Sequence, residues 1–357
     1  MKASQTTMRA TRRCLSTAAD AATKSSLQIK NPVMRESILS GYKRLHGPLS
    51  LRSKAARLAY TTPIGLDEVF PLAHEIVKKY QSTQSAKAES LKEQLAQAGS
   101  SEEASKLQVE LTKAQVRSQV DNPEVQYNFK IGQPDFREPV YRYLAEQKWK
   151  EYELLVLMQR LETLKVIPDT MPTLDPKAKV ELQFPGSVNK WLVPGATIPC
   201  AVADRPPLVT IQEFEEIKDD SLYTLVIVDP DTPDLATDSY KTTLKWAVAN
   251  IPLSNVEHVV DTDKATELVP YLPPTPEKNT GLHRHAVWAF RQNNGKVAEV
   301  AQELIKRDGF DIRKFADELG LQAVGAHIWR NKFDRTSDDV REKYGLEAGR
   351  AFTRVRR

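Results

Sequence analysis

LYTLVIVDPDTP, residues 222–233, is the stretch on which the reading of this chain turns. An apolar run from Leu222 to Val228 ends abruptly in two carboxylates, Asp229 and Asp231, interleaved with Pro230 and Pro233. Val, Ile, Tyr and Thr in one short run closed by turn formers predict a strand that builds a core. The Asp-Pro turn then sets the direction of the chain that follows, and its carboxylates can satisfy backbone donors there. Residues two apart share a face of a strand. If strand geometry persists to Pro230, Asp229 and Asp231 point the same way.

The same texture extends on both sides. From about Ala178 onward VELQF, the run around WLVPG, ATIPCAV, TLKWAVANI, HAVWAF and AHIWR are short and separated by Pro, Gly, Asn and Asp. Such spacing predicts an all-β sandwich or barrel-like domain. One late helix, DIRKFADELG, has Asp311 to cap it and Gly320 to stop it. In GLHRHAVWAF, His283 and His285 share a face and Arg284 lies on the other. Two carboxylates and two imidazoles suit a hard-metal site or an acid–base pair. A purely structural role is equally open, since nothing local brings the two strand ends together. No GxSxG elbow, phosphate-binding GxxxxGK[ST] loop, HExxH or dinucleotide fingerprint occurs.

The chain before Ala178 reads as helical. Residues 30–80 predict short helices broken at HGP and TTPIG, and IGLDEVFPLAHEIVKKY carries apolar residues at helical spacing. Between 82 and 120, Leu91 and Leu95, then Leu107 and Leu111, repeat at i,i+4. Ser100 with Glu103 fits a capping box that opens the second arm of a helical hairpin. So thin a stripe needs a surface to lie against. A long amphipathic helix follows, with Leu154, Leu155, Leu157, Met158, Leu161 and Leu164 on one face and MPTLDP as its stop.

Charge is distributed unevenly along the 357 residues. The formal net charge is only +4, yet Lys24 to Tyr60 holds eight bases against Glu36, and no acid follows Glu347. Basic arms on a near-neutral body suggest an anionic polymer as partner. The expected phosphate contacts are Lys43, Arg44, Arg52, Lys54, Arg57, Arg350, Arg354, Arg356 and Arg357. No apolar run approaches the length of a spanning helix. Two distant cysteines, Cys14 and Cys200, exclude a disulfide framework and a cysteine-based zinc site. The first 26 residues carry Lys2, Arg9, Arg12 and Arg13 before any acid and are rich in Ser, Thr and Ala, the composition of a mitochondrial transit peptide.

LYTLVIVDPDTP, YKTTLKWAVANIP, GLHRHAVWAF and FDIRKFADELGLQAVGAHIWRNKFD occur in an order that resembles the phosphatidylethanolamine-binding protein family. The resemblance implies a sandwich of two antiparallel sheets with a small C-terminal helical element. It also implies an anion pocket, carried over here to Asp229, Asp231 and His283. Leu244 and Lys245 stand where the family usually has paired histidines, and His285 replaces a tyrosine. The resemblance therefore implies a vestigial pocket of Asp229, Asp231, Lys245, His283 and His285. NPEVQYNF, PVYRYLAEQKW, VIPDTMPTLDP and the ending VREKYGLEAGRAFTRVRR further resemble the members of this family found in the fungal mitochondrial large ribosomal subunit.

The organisation expected is α+β. Residues 1–26 form the transit peptide, 27–175 a helical extension with the 82–120 hairpin, 176–335 the sandwich, and 336–357 a basic tail. The resemblance implies a structural, non-catalytic protein of the mitochondrial matrix. Its partners would be large-subunit rRNA and neighbouring ribosomal proteins near the central protuberance, with no DNA, membrane span, cofactor or metal. The alternative is a mitochondrial phosphate or phospholipid head-group binding protein. A metal-dependent hydrolase built on Asp229, Asp231, His283 and His285 is the third reading.

Overall fold

A computed structural model describes residues 51–60, 65–97, 100–186, 190–217, 221–292 and 300–353. The chain forms two compact units, Met1–Thr83 with Asp121–Gln133, and Gln84–Val120 with Pro134–Arg357.

The first unit contains α1 (Lys54–Ala59) and the start of α2 (Leu66–Gln97), and it also holds α4 (Pro123–Lys130). Asn122 caps α4 by accepting the Glu124 N–H at 3.0 Å, with Pro123 at the first helical position, where its missing donor costs nothing.

In the second unit, the remainder of α2 and α3 (Ser101–Gln119) bury Leu91, Leu111 and Ala114, with Ala88, Leu95 and Leu107 against them. The capping box expected at Ser100 does not form: its side chain accepts no hydrogen bond from the first turn. Helix α5 (Pro139–Lys148) passes through a π-helical turn, Trp149–Glu153, into α6 (Leu154–Thr163). The long helix expected here is thus interrupted in hydrogen-bond pattern. Of its apolar face Leu157 and Leu161 are buried, while Leu155 is 63% exposed. The helix stops before MPTLDP, because Lys165 turns left-handed at φ 54°.

Among the described residues eight strands follow: β1 (Ala178–Gln183), β2 (Ala196–Thr197), β3 (Leu208–Glu213), β4 (Leu222–Asp234), β5 (Ser239–Pro252), β6 (Thr266–Val269), β7 (Leu282–Arg291) and β8 (Gln322–Lys332). Helix α7 (Ile312–Glu318) lies before β8 and α8 (Ser337–Lys343) after it. Six strands form one sheet in the order β2-β8-β7-β4-β5-β6, antiparallel except for the short β2–β8 pairing, and β1 pairs antiparallel with β3 as a second sheet. The expected strands around WLVPG and ATIPCAV shrink to Ala196–Thr197, since Pro194 and Pro199 supply no ladder donors and Gly195 sits at φ 80°.

Strand β4 divides two cores. Tyr223, Leu225 and Ile227 face one cluster with Val180, Leu182 and Ile211 of the small sheet. Val226 and Val228 face the other, with Leu157 and Leu161 of α6 and Ile312, Phe315 and Ala316 of α7. Alternating residues of one strand thus serve opposite layers, which explains an apolar run without polar alternation. Each such side chain contributes about 1.5–3 kcal/mol on burial. As expected, Asp311 accepts the N–H groups of Arg313 and Lys314 at 3.0 and 3.2 Å, and Gly320 follows α7 at φ 60°.

Candidate functional site

Strands β4 and β7 are neighbours, Val228 pairing with Ala286, so the end of the apolar run meets the start of HAVWAF. Asp229, 3% exposed, places Oδ2 3.0 Å from Nδ1 of His283. The other ring nitrogen of His283 lies 2.8 Å from the Thr280 hydroxyl. Oδ1 of Asp229 accepts the Asp231 N–H at 3.0 Å, closing the turn. Burial pushes the Asp229 carboxyl up. The His283 hydrogen bond and the nearby His285 and Lys245 outweigh that and hold it well below the usual carboxylate range.

His285 is buried beside this pair. Its Nε2–H donates to Oδ1 of Asn331 at 2.7 Å, and its ring stacks on Trp329 at 5.1 Å between centroids. Nδ1 then carries a lone pair with no partner among the described residues. Burial pushes the imidazole down to about 4, against the pull of Asp229. Lys245 enters through a register shift: Ile227 pairs with Trp246 and Val228 with Leu244, leaving Lys245 as the extra residue on β5. It is buried, and burial lowers its pKa despite Asp229. Among the described residues its ammonium has no hydrogen-bond or ion-pair partner.

Asp231 goes elsewhere. The β4–β5 register shifts again between Asp229 and Thr232, so the shared face expected for the two carboxylates is lost. Asp231 instead accepts from the Arg284 backbone N–H at 2.8 Å, from its Nε at 2.9 Å and from its Nη2 at 2.7 Å. Nη1 of the same arginine donates to Leu164 O, Lys165 O and Asp169 Oδ2 at 2.7, 3.0 and 2.8 Å. The Asp231 bonds lead in raising the Arg284 pKa, with burial opposing. The structure therefore gathers Asp229, Lys245, His283 and His285 and gives Asp231 to a separate clamp. Arg284 stands out in the sequence only as the odd residue between two histidines. No group of three His, Cys, Asp or Glu among the described residues is arranged to hold a metal ion.

Of the expected phosphate contacts, Lys43, Arg44, Arg354, Arg356, Arg357 and the Lys54 side chain lie outside the described residues, as does the transit segment. Arg52 and Arg350 are exposed and Arg57 half-buried. The Arg350 backbone N–H donates to Oε1 of Glu277 at 3.3 Å.

The profile of the phosphatidylethanolamine-binding protein family matches residues 188–335. Its span covers the whole six-stranded sheet, the buried carboxylate–histidine cluster and α7, so the C-terminal part is a domain of that type. Two solved structures are similar to about half of the chain: the carboxypeptidase Y inhibitor complexed with its cognate proteinase, and the phosphatidylethanolamine-binding protein from Plasmodium vivax. The first is 20% identical with TM-score 0.44, covering 51% of this chain and 97% of that one. The second is 21% identical with TM-score 0.41, covering 49% and 97%. Protein MOTHER of FT and TFL1 homolog 2 of Oryza sativa subsp. japonica is 33% identical over 136 residues, 38% of this chain and 72% of its own. Large ribosomal subunit protein mL38 of Schizosaccharomyces pombe is 32% identical over 227 residues, 63% of this chain and 72% of its own. The chain belongs to the mL38 family of large ribosomal subunit proteins.

Proposed function

We propose that this protein is a structural, non-catalytic constituent of the large subunit of the mitochondrial ribosome, resident in the matrix. Its basic arms contact rRNA phosphates, and its sandwich offers neighbouring proteins a rigid surface near the central protuberance. The observation that carries this reading is the 32% identity to mL38 over 227 residues, a length greater than the family domain alone. Arms holding Arg52, Arg57 and Arg350 suit phosphate contacts, which position a protein without reading sequence. Sedimentation of the tagged protein from lysed mitochondria, at low and high salt, tests it. Near-stoichiometric travel with the large subunit is the expected result. A protein that stays at the top of the gradient at both salts refutes the assignment.

A second reading, phosphate or phospholipid head-group binding, draws support from the Asp229 cluster. Among the described residues Lys245 presents a buried cation without a partner, and His285 presents a lone pair without a donor. A hydrogenphosphate offers an ionised oxygen to the first and a hydroxyl to the second. Calorimetric titration with inorganic phosphate, on wild type and Lys245→Met, decides it. Saturable heat that vanishes in the variant supports the reading, and absence of heat in both removes it.

A further inference from the structure

The π-helical turn between α5 and α6 is not used by the site described above. A π turn admits an extra residue per turn and marks functional positions more often than ordinary helix does. Here Trp149, Tyr152 and Glu153, all within the turn, line one cavity of about 300 Å³. Its other walls are Lys179–Glu181 of β1 and the 191–194 segment, with His327 of β8 among the lining residues.

Three properties of this cavity point to one kind of occupant. His327 is 2% exposed, and its Nε2 lies 3.0 Å from the Leu192 carbonyl, so that nitrogen donates. Its Nδ1 is left as a buried acceptor with no partner among the described residues. Glu153 and Glu181 both bind the single ammonium of Lys179, at 2.7 and 2.9 Å, which leaves one negative charge over. The aromatic walls are Trp149, Tyr152 and Trp191, and Tyr152 and Val193 stay 70% and 65% exposed.

We infer that this cavity is a docking site for an arginine side chain carried on an apolar segment of a partner protein. A guanidinium stacks on indole and phenol faces, pairs with carboxylates and still has N–H groups for the His327 nitrogen. The exposed Tyr152 and Val193 receive the apolar flanks of the segment. A nucleobase also stacks and donates, but the uncompensated carboxylate repels the phosphates that come with it. Docking of this kind is independent of the ribosomal assignment.

The full chain is titrated with acetyl-Leu-Arg-Leu-amide, with the same peptide carrying citrulline for arginine, and with adenosine monophosphate. Tryptophan fluorescence and the His327 imidazole nitrogen signals report binding. The arginine peptide is expected to saturate both signals and the citrulline peptide to bind about tenfold more weakly. Glu153→Gln with Glu181→Gln, both at partly exposed side chains, should weaken the arginine peptide by about tenfold and leave the citrulline peptide unchanged. Equal binding of the two peptides, no saturation by either, or tighter binding of the nucleotide would each overturn the inference.

Discussion

Arg284 grips both carboxylate oxygens of Asp231, Nε to Oδ2 at 2.9 Å and Nη2 to Oδ1 at 2.7 Å. Its third nitrogen ends on the carbonyls of Leu164 and Lys165, so one guanidinium joins strand β4, strand β7 and the end of α6. Removing it strands a carboxylate and two helix-end carbonyls at a partly buried place. Arg284→Ala should lower stability by about 2–4 kcal/mol. Arg284→Lys should recover less than half of that, because a point charge cannot reproduce the fork. Urea unfolding of the three proteins checks this, and a lysine variant as stable as wild type would refute it.

The buried histidines give the stability a pH dependence of fixed sign. His285 and His327 are both pushed down to about 4 by burial, Asp229 opposing this at His285 and the Leu192 carbonyl at His327. The unfolded chain takes up these protons near pH 6.5 and the folded chain only near 4, so stability falls as pH drops through that window. Each group contributes on the order of 3 kcal/mol that is present above pH 6.5 and lost by about pH 4. The Asp229 contribution holds above its unfolded pKa of about 3.9 and declines only below it. His327→Gln should flatten the profile between pH 7 and 4.5 in denaturant titrations. An unchanged gap between wild type and variant across that range would show the imidazole is not held neutral.

Gly325 sits where β1 crosses β8. A Cβ there would stand 2.7 Å from Cγ2 of Val180 and 2.8 Å from the Ala178 carbonyl oxygen. Gly325→Ala should cost about 1–3 kcal/mol by overpacking. Adding Val180→Ala should not restore wild-type stability, because the backbone carbonyl stays and a buried side chain is removed. Thermal melts of the single and double variants measure this, and full recovery in the double variant contradicts the geometry.

For the basic ends, Arg350, Arg354, Arg356 and Arg357 replaced together by alanine should weaken subunit association and flatten its salt dependence. Each phosphate no longer neutralised should reduce the logarithmic slope by about 0.7–0.9. Retention on the large subunit measured across a salt series is the readout. An unchanged slope takes the C-terminal arm out of the RNA interface.

Strand β4 is legible in sequence because a β-branched run closed by Asp and Pro admits few other structures. The strand Leu208–Glu213 is harder to read: it follows Pro206 and Pro207 and ends in polar residues, Gln212 and Glu213, that are nevertheless buried. Most of their partners lie outside the strand. Gln212 donates to the Glu213 and Asn255 carbonyls, and Glu213 meets the Tyr223 hydroxyl and Arg291. The four-residue strand Thr266–Val269 is too short and mixed to register as a pattern. The pairing of Asp229 with His283, 54 residues apart, depends on β4 lying beside β7, which no local spacing states. The parting of Asp229 from Asp231 comes from a register shift at one point of the ladder, which period-two arithmetic cannot anticipate. The family motifs supply His283 and Asp229, whereas the orphaned nitrogens of His285 and His327 emerge only from packing.

Strand β4 is also a party wall. With Ile227 in one layer and Val226 in the other, neither layer can come apart without exposing the partition they share. The sandwich and its helical cover should therefore melt as one cooperative body, and the amides of 225–228 should exchange with solvent only when the whole domain opens.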